Sequence, residues 1–185
     1  MRLLASLVAT ALLAAACGGA PVAASPTVAA TATPAPTPQT KFSFLADLKS
    51  SNEVPAITSA EASCTGKGTF VLDTTKDTTG KITAALATFT LTVSTCPTST
   101  EITLFHIHKA AAGANGGVVV DSGQKAAEPI ALTTGGTASA VTKSNITVTP
   151  ENADAIIKDP AGFYFNVHSK LHGGGVVRGQ LTAGS

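Results

Sequence analysis

From about residue 41 onward, apolar and polar residues alternate with a period of two, and only one stretch carries the period of a helix. Strand side chains point to opposite faces in turn, so such alternation predicts half-buried strands. Phe42, Phe44, Ala46 and Leu48 alternate with Ser43, Leu45 and Asp47, predicting a first strand. Asn52-Glu53-Val54-Pro55 ends it in a turn or edge segment. Residues 68–73 predict a second strand. Residues 81–95 predict a long third, with Ile82, Ala84, Leu86 and Thr88 on one face and Ala85, Ala87, Phe89, Leu91 and Val93 on the other. In residues 101–109, Ile102, Leu104, His106 and His108 share one face, and Thr103, Phe105 and Ile107 the other. A small-residue loop follows at 110–117. Further short strands are expected at 118–120, 129–133 and 137–142, divided by glycine-containing turns.

The exception to period two is 150–158. Thr149 is a fair N-cap, Pro150 suits the first helical position, Glu151 places negative charge in the first turn, and Asp159-Pro160 stops the helix. Then comes an aromatic strand, 162–169. It has Phe163, Phe165 and Val167 on one side and Tyr164, Asn166 and His168 on the other. A glycine turn, Gly173-Gly174-Gly175, leads to a last strand at 176–182. Many short strands at regular spacing with one short helix predict an all-β fold, an immunoglobulin-like or Greek-key β-sandwich. If the aromatic faces share a core, the histidine faces look away from it together. They would form one polar His/Asn surface.

Composition narrows the function classes. Of 185 residues only 12% are charged, and the formal net charge is +1. A nucleic-acid binder would carry a basic field, so that class is excluded. With no Trp and seven Phe, the core must be built mainly of aliphatic residues and phenylalanine. No Ser-His-Asp order or carboxylate pair marks a hydrolase. The glycine clusters Gly135-Gly136 and 173–175 precede no helix, which argues for turns rather than phosphate cradles. The expectation is a non-catalytic protein. Asn145-Ile146-Thr147 has the form of a glycosylation sequon and is read as incidental beside a bacterial-type leader.

The N-terminus reads as export machinery. Met1-Arg2 precedes an apolar run, 3–16, too short for the roughly 20 residues a membrane span needs. This predicts a signal peptide over 1–16. The run ends Ala14-Ala15-Ala16-Cys17-Gly18-Gly19, which resembles a bacterial lipoprotein signal, although Ala14 stands where that signal usually has Leu. The resemblance implies lipidation of Cys17 and attachment to a cell membrane or outer membrane; cleavage after Ala16 as an ordinary secreted protein is the alternative. More than one acyl chain is needed for stable anchoring. Residues 17–40 are rich in Pro, Thr and Ala, with no charge before Lys41. Such a stretch cannot offset its conformational entropy by burial, and predicts an extended spacer of roughly 3 Å per residue. The folded domain is then 41–185, outside the cytoplasm.

Setting Cys17 aside leaves Cys64 and Cys96, an even pair in an exported domain, which reads as a disulfide. It would close a loop of about 32 residues and stabilise by roughly 3–4 kcal/mol on the chain-entropy model. Metal ligation is the alternative, but neither cysteine has a finger-like partner spacing.

The candidate chemistry lies with four histidines. His106 and His108, at i and i+2 on one strand, are about 6.5–7 Å apart at Cα, so both rings can reach one ion. Imidazole suits copper and zinc. His168 is the third candidate ligand if its strand is a neighbour, and His172 a flexible fourth, with Asn166 and Arg178 as outer groups. A structural reading competes. His106, His108, Asn166 and Arg178 form a hydrogen-bonded network that fixes the sheet and its glycine turns.

Four segments carry a family resemblance: Phe42 to Leu48 running into Asn52-Glu53-Val54-Pro55, His106-Ile107-His108, Gly162-Phe163-Tyr164-Phe165-Asn166-Val167-His168, and Val177-Arg178-Gly179-Gln180-Leu181. In order and spacing they resemble the CHRD domain, over about 42–183. That family often has a second proline where Ala56 stands, and an acidic residue near Val176 that is absent here. The resemblance implies an immunoglobulin-like β fold, the polar motif residues Asn166, Arg178 and Gln180, and a binding or structural module for an unnamed protein or surface ligand. Separately, His-x-His on one strand with a third histidine on another resembles the copper side of copper-zinc superoxide dismutases. That likeness implies a copper or zinc site at His106, His108 and His168.

Overall fold

The computed structural model describes residues 39–184 apart from 134 and 139. The signal peptide expected over 1–16, Cys17 and all but the end of the spacer expected over 17–40 lie outside the described residues. The strands are β1 (Gln39–Lys49), β2 (Thr65–Lys76), β3 (Ile82–Ser94), β4 (Glu101–Lys109), β5 (Gly117–Asp121), β6 (Ile130–Ala131), β7 (Val141–Val148), β8 (Phe163–Ser169), β9 (Val177–Gln180) and β10 (Thr182–Ala183), with a helix α1 (Pro150–Lys158). All pairings are antiparallel, and the sheet runs β5-β4-β8-β9-β1-β2-β3-β7, with β10 added to β1 and β6 to β4. The all-β expectation holds. The sheet folds over on itself into a nearly closed barrel or sandwich.

Phenylalanines fasten the two halves. Phe89 of β3 meets Phe105 of β4 and Phe165 of β8 edge-on, at centroid distances of 5.8 and 5.6 Å. Phe70 of β2 closes on Phe89 at 4.9 Å. Each fully buried ring contributes about 1.5–3 kcal/mol by burial, and each edge-on pair adds about 0.5–1.5 kcal/mol. Gly68 makes this possible, because a Cβ there would stand 2.7 Å from the Phe165 ring. Cys64 and Cys96 are joined, as expected, linking the start of β2 to the segment after β3.

The helix matches its sequence signals. Thr149 Oγ1 accepts from Asn152 N at 3.3 Å, Pro150 opens the helix, and Asp159 is the C-cap. Its buried residues, Ala153 and Ile156, join the core.

Three strand expectations are corrected. Ile102 does not share the histidine face; it lies in the core with Phe105 and Ile107, because Thr103 is an extra residue where Ile102 pairs Ser169 and Leu104 pairs His168. Such a bulge reverses side-chain parity. Likewise Thr83 is extra opposite β2, which turns Ile82 into the core while Leu86 stays exposed. The strand expected at 137–142 begins at Val141 and continues to Val148. Gly135 and Gly136, both at positive φ, make the preceding stretch a tight turn, with Thr133 bridged to Thr137 and Gly136 O accepting from Cys96 N. Leu and Val patterns resist this conformation, whereas glycine adopts it freely.

Candidate metal centre

Strand pairing assembles the site in lateral rows. Asp121 of β5 stands opposite His106 of β4, His106 opposite Asn166 of β8, Asn166 opposite Arg178 of β9, and Arg178 opposite Lys49 of β1. In neighbouring positions His108 pairs Tyr164, Tyr164 pairs Gln180, and Leu104 pairs His168. The parity expected for β8 is observed: Phe163, Phe165 and Val167 belong to the core, while Tyr164, Asn166 and His168 turn to the other face. That face is not open to solvent. All seven residues of β8 are buried, because the loops carrying Glu53, Gly116 and Gly173 cover it.

His106, His108 and His168 converge, each offering a nitrogen within 4.8 Å of the others. His106 Nδ1 and His168 Nε2 are 3.1 Å apart. The ring tautomers follow from their partners. A carbonyl oxygen only accepts, so His108 Nδ1–H donates to Gly116 O at 2.9 Å and His168 Nδ1–H donates to Gly173 O at 2.9 Å. Nε2 is therefore the lone-pair nitrogen of both. In His168 that lone pair accepts from His106 Nδ1–H. In His108 it is buried and has no hydrogen-bond partner among the described residues.

Burial pushes all three imidazoles toward the neutral form. It holds His106 down at about 4, with the His168 ring adding to the effect and the Asp121 carboxylate opposing it. His108 and His168 are lowered mainly by burial, against the pull of their carbonyl partners. Neutral imidazole is the metal-binding form. The donor set suits copper or zinc, both of which take imidazole nitrogen. His106 Nε2 stands 3.8 Å from Asp121 Oδ1. An outer carboxylate behind a ligating imidazole orients it and raises its basicity. Asp121 escaped notice in the sequence because only the β4–β5 pairing brings it there.

His172 is not part of the cluster, contrary to its expected place as a fourth ligand. Its Nε2 lies 2.8 Å from Ser59 Oγ and 3.9 Å from Glu61 Oε2. The glycine turn carries it outward, while Ser169 Oγ bonds Glu61 Oε2 and receives the His172 N–H.

The surrounding polar residues are firmly held. Arg178 donates from Nε and Nη2 to Glu53 Oε2 at 2.8 and 2.7 Å, from Nη1 to Ala114 O, and from Nη2 to Asn115 Oδ1. Its guanidinium lies over Tyr164, whose ring stacks on His108. Gln180 Nε2 donates to the carbonyls of Ala110, Ala161 and Phe163. Asn166 Nδ2 donates to Gly174 O at 3.4 Å, and Oδ1 has no hydrogen-bond partner among the described residues. The carboxylate partner of Arg178 is thus Glu53, from the far end of the domain, in place of the acidic residue missing near Val176. Burial pushes the Glu53 carboxyl up, and the guanidinium draws it partway back.

The family model of the CHRD domain matches residues 44–181. The chain therefore belongs to the CHRD domain family. A search of curated proteins found no match. Family membership supports an extracellular-type binding module, and the histidine cluster is compatible with a metal ion.

Proposed function

We propose that this protein is a membrane-anchored, extracytoplasmic CHRD module that holds one copper or zinc ion through His106, His108 and His168. Anchoring would be through lipidated Cys17, with 17–40 as the spacer, and the module would be non-catalytic. The observation that carries the metal reading is the bare Nε2 of His108, a buried acceptor in a polar cluster with no hydrogen bond. A buried polar atom without a partner is costly. A metal ion satisfies it together with two adjacent imidazoles.

The two hydrogen bonds to Gly116 and Gly173 support the same reading, because they aim Nε2 of His108 and His168 at the shared space. The nitrogen of His106 beside His168 is Nδ1. To ligate, it would pass its proton to Nε2, where the Asp121 carboxylate stands to accept it. The bonds to Gly116 and Gly173 use the far sides of the rings and would remain, while the His106–His168 hydrogen bond would give way to the ion.

The test is metal analysis and copper and zinc titration of chelator-treated protein beside a His106→Ala/His108→Ala variant. The expected result is one ion per chain for the parent and none at the same concentration for the variant. Equal uptake by both proteins overturns the reading. Globomycin-sensitive processing and labelling with a fatty-acid analogue, lost in Cys17→Ser, test the anchor.

A further inference from the structure

His106, His108 and His168 are 6, 8 and 6% exposed, so an ion reaches them only when a covering segment moves. Two of the three covering segments are locked to each other. Arg178, itself buried, bonds Glu53 on one segment and Ala114 O and Asn115 Oδ1 on the other, and Asn115 Nδ2 donates to Val54 O at 2.9 Å. Parting them would strand a buried charge, which is strongly unfavourable. The third segment, 171–174, is held lightly. Leu171 is 64% exposed, and a Cβ built on Gly173 or Gly174 would meet nothing within 4 Å. Among the described residues, the one hydrogen bond made by a side chain of this segment joins His172 Nε2 to Ser59 Oγ at 2.8 Å. Its other ties are the carbonyls of Gly173 and Gly174, which accept from His168 Nδ1 at 2.9 Å and Asn166 Nδ2 at 3.4 Å, and the bonds of its own turn to Ser169 and Gly175.

This segment borders a cleft of about 300 Å³, lined among others by His172, Gly174, Gly175, Asn115 and His108. Lifting it widens the cleft beside His108 and frees His168 Nδ1 from Gly173 O. We propose that residues 171–174 are the gate by which the ion enters and leaves, with the Ser59–His172 hydrogen bond as its latch. This rests on the metal reading above, and it concerns rate rather than affinity. Neither latch residue belongs to the ligand set, so the bond is made with or without the ion and cancels from the equilibrium constant. It is broken only on the way in or out, so its loss lowers both barriers alike. The net contribution of one hydrogen bond corresponds to about three- to tenfold in each rate.

The experiment mixes protein loaded with zinc, and separately with copper, with excess 4-(2-pyridylazo)resorcinol in a stopped-flow instrument. Colour reads the limiting release rate, and equilibrium competition with the same chelator gives Kd. His172→Ala and Ser59→Ala should each speed release about three- to tenfold with Kd unchanged. Their double variant should release no faster than the faster single, because both changes remove one bond. Ser59→Thr, which keeps the hydroxyl, should keep the parent rate. Ile156→Val loosens the core at α1, which packs on β3, and should leave release unchanged. The gate is overturned if His172→Ala releases the ion at the parent rate, if faster release comes with a Kd weakened to match, or if Ile156→Val speeds release as much. A parent that holds neither ion at equilibrium overturns the metal reading and the gate together, whereas normal uptake with unaltered rates overturns the gate alone.

Discussion

His106 Nδ1 donates to His168 Nε2 across the β4–β8 pair, at 3.1 Å. The two rings come from residues 62 apart in sequence, and each is buried. The contact requires at least one ring to be neutral, since two imidazolium ions would face each other with no acceptor between them.

That pair makes the metal-free protein acid-sensitive. An unfolded histidine takes a proton near 6.5, whereas folded His106 resists until about 4. Between those values the unfolded state binds more protons, so stability falls as pH falls, and above 6.5 this contribution is flat. Denaturant midpoints measured in chelator from pH 7.5 to 4.5 should decline, and His106→Gln should decline less steeply.

Asp121 should act on metal affinity and not on the fold. Its carboxylate is largely exposed and stands 3.8 Å from His106 Nε2. Asp121→Asn is expected to weaken copper or zinc binding by roughly 10–100-fold. Its thermal midpoint without metal should match the parent, and competition with a coloured chelator reads the difference.

Arg178 and Glu53 form a buried pair with side chains 5% and 3% exposed. Removing one partner strands the other charge, so Arg178→Met should cost about 3–5 kcal/mol. The double variant with Glu53→Gln should cost less than the two single changes added together. Urea unfolding of the four proteins completes the cycle.

Gly175 has φ +136, and any side chain there would collide with Glu53 and Asn166. Gly175→Ala is expected to lose about 1–3 kcal/mol from the backbone conformation alone, with more from the collision. The Asn166 amide signal should move, whereas Gly173→Ala, with open space around it, should change neither.

Cys64→Ala/Cys96→Ala opens a loop spanning 32 positions. The expected loss is roughly 3–4 kcal/mol, measurable as a lower urea midpoint in the double variant.

The site was only partly legible in the sequence. Period-two parity placed His106, His108, Asn166 and His168 on faces opposite the phenylalanines, because alternation survives wherever a strand is regular. It failed at Thr103 and Thr83, where one extra residue reverses the faces and leaves no mark in composition. Glu53 and Asp121 were invisible as site members, because each reaches the cluster through a pairing or loop closure between distant segments.

The sequence alone determined the strand-rich class, the helix with its Thr149 cap, the disulfide partners and the polar side of β8. These depend on local alternation, capping chemistry and cysteine count, all of which are written into short windows of residues. Only the tertiary structure decided that β4 and β8 are neighbours, that His172 is carried away from the cluster, and that loops bury the polar face. Those outcomes depend on which strands hydrogen-bond across the sheet, a choice made by the packing of the whole core around Phe70, Phe89, Phe105 and Phe165.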